Sequence, residues 1–189
     1  MIKYLLTLVC FLIFFTSCNS EPEPDRSHEK SYIRGVVQSR VAKKVENKHK
    51  LYASGFGFWG ARCYEELKIS FEHQGILSRD EARFLIVDVA ADFLEEVNQD
   101  EKIRPHLCQF PYTIKNLSIP IFPRKNGFKN PTHPDYVVIK LHDGTISYKT
   151  ELEGQKYDYH TEEDETFEEA LQILREQGRI PEYFKGYKV

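Results

Sequence analysis

The chain has 189 residues, with 26 Lys and Arg set against 29 Asp and Glu and a formal charge of −3. That balance removes general nucleic-acid binding from the classes to consider, because such binding rests on an excess of cations facing phosphates. Thirteen Phe and eleven Tyr are enough to fill one core, and the length fits a single domain.

The first residues read as an export signal. Lys3 supplies a positive start, residues 4–15 form an apolar run, and Thr16 and Ser17 are small. The run is shorter than the roughly 20 residues that span a bilayer as a helix. Phe15-Thr16-Ser17-Cys18 resembles the lipobox of bacterial lipoproteins. The resemblance implies that the Cys18 thiol carries a diacylglyceryl group, that the chain is cut before it, and that the new amino terminus is acylated. Phe15 departs from the usual Leu of that pattern. An ordinary signal peptide with an incidental cysteine is the alternative, and Cys10 is a poor rival because the cut would halve the apolar run. Two or three acyl chains anchor firmly where one binds reversibly, so the resemblance implies a stable membrane attachment. The same resemblance implies, from Asn19 in place of the Asp that retains such lipoproteins in the inner membrane, an outer-membrane location with the domain in the periplasm. The expected organisation is a signal peptide at 1–17, a lipidated tether at 18–26 and one α+β domain at 27–189. No cofactor is expected beyond the covalent lipid, and no metal centre.

Removal of residues 1–17 takes away Lys3 and brings the balance to −4. It also removes Cys10, and lipid would consume Cys18, leaving Cys63 and Cys108. In an oxidising envelope two such cysteines pair, or else remain as buried thiols.

Beyond the acidic, proline-bearing tether 21–25, residues 26–50 are basic. Eight cations face Glu29 and Glu46, while Ile33, Val37, Val41 and Val45 recur every four residues. That spacing predicts a helix docked by its valine stripe, with contact to anionic lipid headgroups as the alternative use of the charge. Residues 53–62 set three glycines among Phe56, Phe58 and Trp59. We read this as close packing, with an exposed partner surface as the alternative. No phosphate-binding glycine pattern is present.

Leu67, Ile69 and Phe71 alternate with polar residues and predict a strand. Ser78 and Glu81 form a capping box, and apolar residues from Ala82 to Val97 follow at helical spacing, with Asn98 as the expected end. Residues 112–122 predict a strand with Leu117, Ile119 and Ile121 on one face, and Pro120 there indicates an edge or a bulge. Val137, Ile139 and Leu141 predict another strand, Asp143-Gly144 a hairpin turn, and residues 145–152 its partner. The acids at 162–165 read as the dipole-matched start of a last helix at 166–177, with Phe167, Ala170, Leu171 and Leu174 on its buried face. Residues 151–176 hold ten acids, and this end could face the basic first helix. The expectation is thus an α+β fold: an N-terminal helix, a strand, a long central helix, three mostly antiparallel strands including the hairpin, and a C-terminal helix.

Residues 78–85 (SRDEARFL), Asn98, Ile103-Arg104-Pro105-His106-Leu107, Pro111-Tyr112-Thr113 and Lys115-Asn116 resemble an uncharacterised group of exported bacterial proteins. This resemblance implies a related fold and an envelope setting. Catalytic motifs of hydrolases, metalloproteases and nucleotide enzymes are missing. Arg104 with His106 is the best polar cluster. Arg104 either anchors its loop or recognises an anion such as a carboxylate or phosphate. The favoured function is a non-enzymatic envelope lipoprotein that binds or supports another envelope component. The alternative is a lipid-tethered enzyme acting on wall, lipid or peptide substrates, which would need Arg104, a histidine and a carboxylate to converge.

Overall fold

A computed structural model describes residues 27–126, 129–155 and 158–187. Cys18, the tether and the signal sequence lie outside the described residues. Helix α1 (Ser27–His49) is followed by strands β1 (Leu51–Trp59) and β2 (Glu66–Gln74), helix α2 (Arg79–Gln99), strands β3 (Leu117–Arg124), β4 (Val138–His142), β5 (Thr145–Glu151) and β6 (Tyr159–Thr166), and helix α3 (Phe167–Glu176). The sheet order is β1-β2-β3-β4-β5-β6. Only β2 and β3 run parallel, and α2 is their crossover.

The core explains the arrangement. Val37, Val41 and Val45 on α1, eight or more apolar residues on α2, and Phe167, Leu171 and Leu174 on α3 join one buried cluster with Leu67, Ile69, Phe71, Ile119, Ile121, Ile139, Leu141, Ile146 and Tyr148. Within each strand these residues stand at every second position, and the register sets them opposite one another, so the helices cover one face of the sheet. The other face carries Lys68, Ser70, Glu72, Lys140, Ser147 and Lys149 and meets water. Ser78 caps α2 with both bonds of the capping box formed, and Thr166 with Glu169 caps α3 in the same way. Each cap contributes about 1 kcal/mol. Asp143 and Gly144 both take positive φ, 45° and 75°, as a two-residue hairpin turn requires.

The class is α+β, but four elements differ from the expectation. The sheet has six strands where the sequence predicts four. Residues 51–59 form β1, an edge strand whose Gly55 and Gly57 mask the apolar alternation. The acids at 162–165 lie in β6, the opposite edge strand, where charge discourages further pairing. The α3 helix takes its first-turn acids from Glu168 and Glu169 instead. Residues 114–116 form a 3-10 turn, and the strand begins only at Leu117. Pro120 sits in the interior strand β3, at neither an edge nor a bulge. The β2–β3 pairing skips from Lys68–Ser118 to Phe71–Ile121 without changing register, which absorbs the missing N–H.

Among the described residues, the cations Arg40, Lys44 and Lys48 of α1 meet α2 and not the expected acidic end of the chain. Arg40 reaches Asp100 at 2.6 Å and Glu96 at 3.3 Å, Lys44 reaches Glu95 at 2.5 Å and Asp92 at 3.4 Å, and Lys48 reaches Asp88 at 2.6 Å and Asp92 at 3.3 Å. Both partners step by about one turn, so two antiparallel helices zip together by charge above their valine contact. Of the acids in 151–176, Glu163 and Glu165 go to Arg79 and Arg83 of α2, and Glu162 to Lys149. Arg40, Lys44 and Lys48 are therefore engaged inside the molecule, which weakens the case for lipid-headgroup contact through this stripe.

This zipper makes stability pH-dependent. Burial pushes the Asp88 and Asp100 carboxyls up. Their polar neighbours outweigh it and hold both below the usual carboxylate range: the close His49 and Lys48 side chains at Asp88, and hydrogen bonds from Arg40 and the Ile103 amide at Asp100. A depressed carboxyl stabilises the fold above its unfolded pKa of about 3.9 and loses that contribution as pH falls through the folded value. Urea unfolding midpoints should hold from pH 7 to pH 5 and drop below pH 4. In the Asp88→Asn/Asp100→Asn double variant the drop should be smaller.

Candidate functional site

Strand β1, Leu-Tyr-Ala-Ser-Gly-Phe-Gly-Phe-Trp, carries no charge and no proline. It ends the sheet, and among the described residues no strand pairs with its outer edge. Natural edge strands are usually blunted by charge, proline or bulges. Here one bulge between Ala53 and Gly55 is the only such device.

The aromatic side chains are open to solvent. Phe56 is 54 % exposed, Phe58 48 % and Trp59 70 %, so the packing reading of this segment fails. They do not form one patch on one face. Phe56 and Phe58 stand opposite Ile69 and Leu67 and share their helix-covered side, whereas Trp59 and Tyr52 stand opposite Glu66 and Glu72 on the open side. The aromatics therefore flank the free edge from above and below. Phe58 is held by Tyr64, with ring centroids 5.2 Å apart in a T-shape, and by the Arg34 guanidinium 4.1 Å from its ring centre.

The loop beyond β1 is fixed from several sides. At Gly60 φ is +107°, and a Cβ would lie 2.1 Å from the Cys63 carbonyl oxygen, so this position admits no side chain. Cys63 and Cys108 are bridged, with Cα atoms 4.9 Å apart. The Tyr64 amide donates to the His106 carbonyl at 2.8 Å, and the Cys108 amide donates to the Tyr64 carbonyl at 3.0 Å. The Tyr112 hydroxyl also donates to the Tyr64 carbonyl, at 2.7 Å. Asn98 clamps the Tyr112 main chain at both its amide and its carbonyl, and Asn116 bonds the Thr113 amide and the Glu65 carbonyl. Asn98, Tyr112 and Asn116, which helped carry the resemblance to exported proteins, thus hold the disulfide-bearing loops in place.

Arg104 and His106 are not brought to a common site. The Arg104 guanidinium lies 4.4 Å over the Phe110 ring. His106 lines a separate cavity of about 630 Å³ with Glu29, Tyr32, Ile33, Lys102 and Pro105. A neighbouring cavity of about 460 Å³ runs between α1 and the end of α2, and Tyr32, 73 % exposed, lines both. Sequence reasoning passed over Tyr32 because it falls off the valine stripe. Its position between basic residues and away from that stripe was the available signal.

Among the described residues no helix is long and apolar enough to cross a membrane. No protein-family model, no curated protein and no solved structure matches this chain, so its function has to be argued from these surfaces.

Proposed function

We propose that the protein is a membrane-anchored envelope lipoprotein that acts as a non-enzymatic binding or support module, held by lipid on Cys18. One observation carries the binding part: the uncharged free edge of β1, flanked on both sides by exposed aromatics. An extended segment of an envelope protein would complete the ladder through its backbone and cover Phe56 and Phe58 on one face and Trp59 on the other. The Cys63–Cys108 bridge supports an oxidising compartment, and the lipobox supports delivery to it. Arg104 stacks on Phe110 while His106 lines a cavity with other residues, which favours the binding module over an enzyme built on that pair.

The test is chemical crosslinking in intact cells with mass spectrometry of whatever is joined, comparing the unaltered chain, Cys18→Ser and Phe56→Ala/Trp59→Ala. The expected result is one abundant envelope partner, lost in both variants. A partner retained in the aromatic variant would move the contact away from β1. Equal membrane fractionation of the unaltered chain and Cys18→Ser would rule out the lipid anchor.

A further inference from the structure

The lower end of the α1–α2 seam holds a second candidate site. His49 closes α1, while Asp88 and Asp92 lie one turn apart on α2. One ligand atom from each falls within 4.8 Å of the other two. Both carboxylates are buried, at 4 % and 5 % exposure. His49 Nε2 and Asp88 Oδ2 approach to 2.6 Å, yet their alignment is not that of a hydrogen bond, and neither atom has another well-directed one. A cavity of about 310 Å³ lined by Lys48, Asp88, Asp92, Glu95 and Glu182 opens beside them.

Charge along the seam points the same way. Asp88, Asp92, Glu95, Glu96 and Asp100 face Arg40, Lys44 and Lys48. Two negative charges remain with His49 neutral, at the place where the two most buried carboxylates stand. One imidazole nitrogen with two carboxylate oxygens suits a divalent first-row transition ion better than Ca²⁺ or Mg²⁺, which favour all-oxygen sets.

We propose that His49, Asp88 and Asp92 bind a divalent transition-metal ion that cross-links the last turn of α1 to the middle of α2. The Lys48 ammonium, 2.6 Å from Asp88 and 3.3 Å from Asp92, is the nearer competing cation, with Lys44 3.4 Å from Asp92. The Lys48 side chain is 45 % exposed, so it can swing into the adjoining cavity as the metal enters. The site would fasten the seam that also shapes the Tyr32 cavities, and it does not depend on the lipid anchor.

Zn²⁺ is the probe, titrated calorimetrically into the full chain purified in detergent, with circular dichroism checking each variant. One ion per chain is expected. His49→Gln and Asp92→Asn should each weaken binding by roughly 100-fold or more, beyond what loss of a mere supporting group does. Lys48→Met removes no ligand and should tighten binding roughly three- to tenfold by deleting the nearer competitor. That variant keeps the proposal testable if a ligand variant fails to fold. His133→Gln controls for the exposed His133–His160 pair, whose rings lie 4.8 Å apart, and should change nothing. Unaltered-chain binding no tighter than about 1 mM would overturn the proposal. So would tight binding that survives both ligand variants, weaker binding in Lys48→Met, or tight binding lost with His133→Gln.

Discussion

Arg83→Met is expected to destabilise the protein by about 3–5 kcal/mol, the cost of leaving a buried charge without its partner. Arg83 and Glu165 are 6 % and 9 % exposed. The Arg83 Nε lies 2.9 Å from Oε1 of Glu165, and its Nη2 lies 2.9 Å from Oε2. The Tyr148 hydroxyl also donates to Glu165. Burial first, and then that bond, push the Tyr148 phenol above its ordinary range, so it stays a donor. Arg79 stacks 4.3 Å over the Tyr148 ring and pairs with Glu163. Together these groups tie the first turns of α2 to the far edge strand β6. Without Arg83, Glu165 keeps only Tyr148 and the Arg79 Nη2 at 3.7 Å. Arg83→Met/Glu165→Gln removes both charges, leaves Tyr148 an acceptor, and should recover much of the loss. Urea midpoints of the two single variants and the double variant measure this directly. A cost below about 1 kcal/mol for Arg83→Met would show that the pair is screened as a surface pair is.

What could be read from the sequence divides along physical lines. Helix α2 was legible because a capping box and a 3.6-residue apolar period agree with each other, as Ser78 with Ala82 to Val97 shows; α3 was legible from its apolar period alone, its cap at Thr166 and Glu169 having been passed over for the acids at 162–165. The β4–β5 hairpin was legible because Asp143-Gly144 supplies the positive φ values that few other pairs adopt. Edge strands were not legible. β1 alternates glycine with aromatics and β6 holds an unbroken run of acids, and neither shows the run of branched apolar residues by which a half-buried strand is recognised. The missed edges matter most, since β1 is the candidate surface. Its aromatics were visible as residues, but their exposure depends on where the sheet stops, which is a property of topology. The α1–α2 charge zipper had a signal in the four-residue steps of Arg40, Lys44 and Lys48 and of Asp88, Asp92 and Glu96. Pairing them needed the knowledge that the two helices are antiparallel neighbours. His49, Asp88 and Asp92 come from positions about forty residues apart and carry no motif spacing at all.

Loss of the Cys63–Cys108 bridge should cost about 2–4 kcal/mol and lower the melting temperature by roughly 10 °C for a domain of this size. The bridge joins cysteines 45 positions apart in the chain, for which the chain-entropy argument alone gives about 4 kcal/mol. The closed loop contains β2 and all of α2, so an open form frees the crossover that places β3 beside β2. Cys63→Ser/Cys108→Ser should melt at the lower temperature with or without reductant, whereas the unaltered chain should fall to that value only when reduced. Equal melting of oxidised and reduced protein would mean that the clamps at Asn98, Tyr112 and Asn116 suffice without the bridge. The same cysteines report on where the protein resides. If Cys10 leaves with a signal peptide, Cys18 is thioether-linked to lipid and the other two are bridged, then chain taken from cells offers no thiol to a maleimide. After reduction it offers two. A third thiol would place a free Cys18 on the mature chain. Two thiols before reduction would mean that the domain never meets an oxidising compartment, and the envelope setting proposed for it would fall with that result.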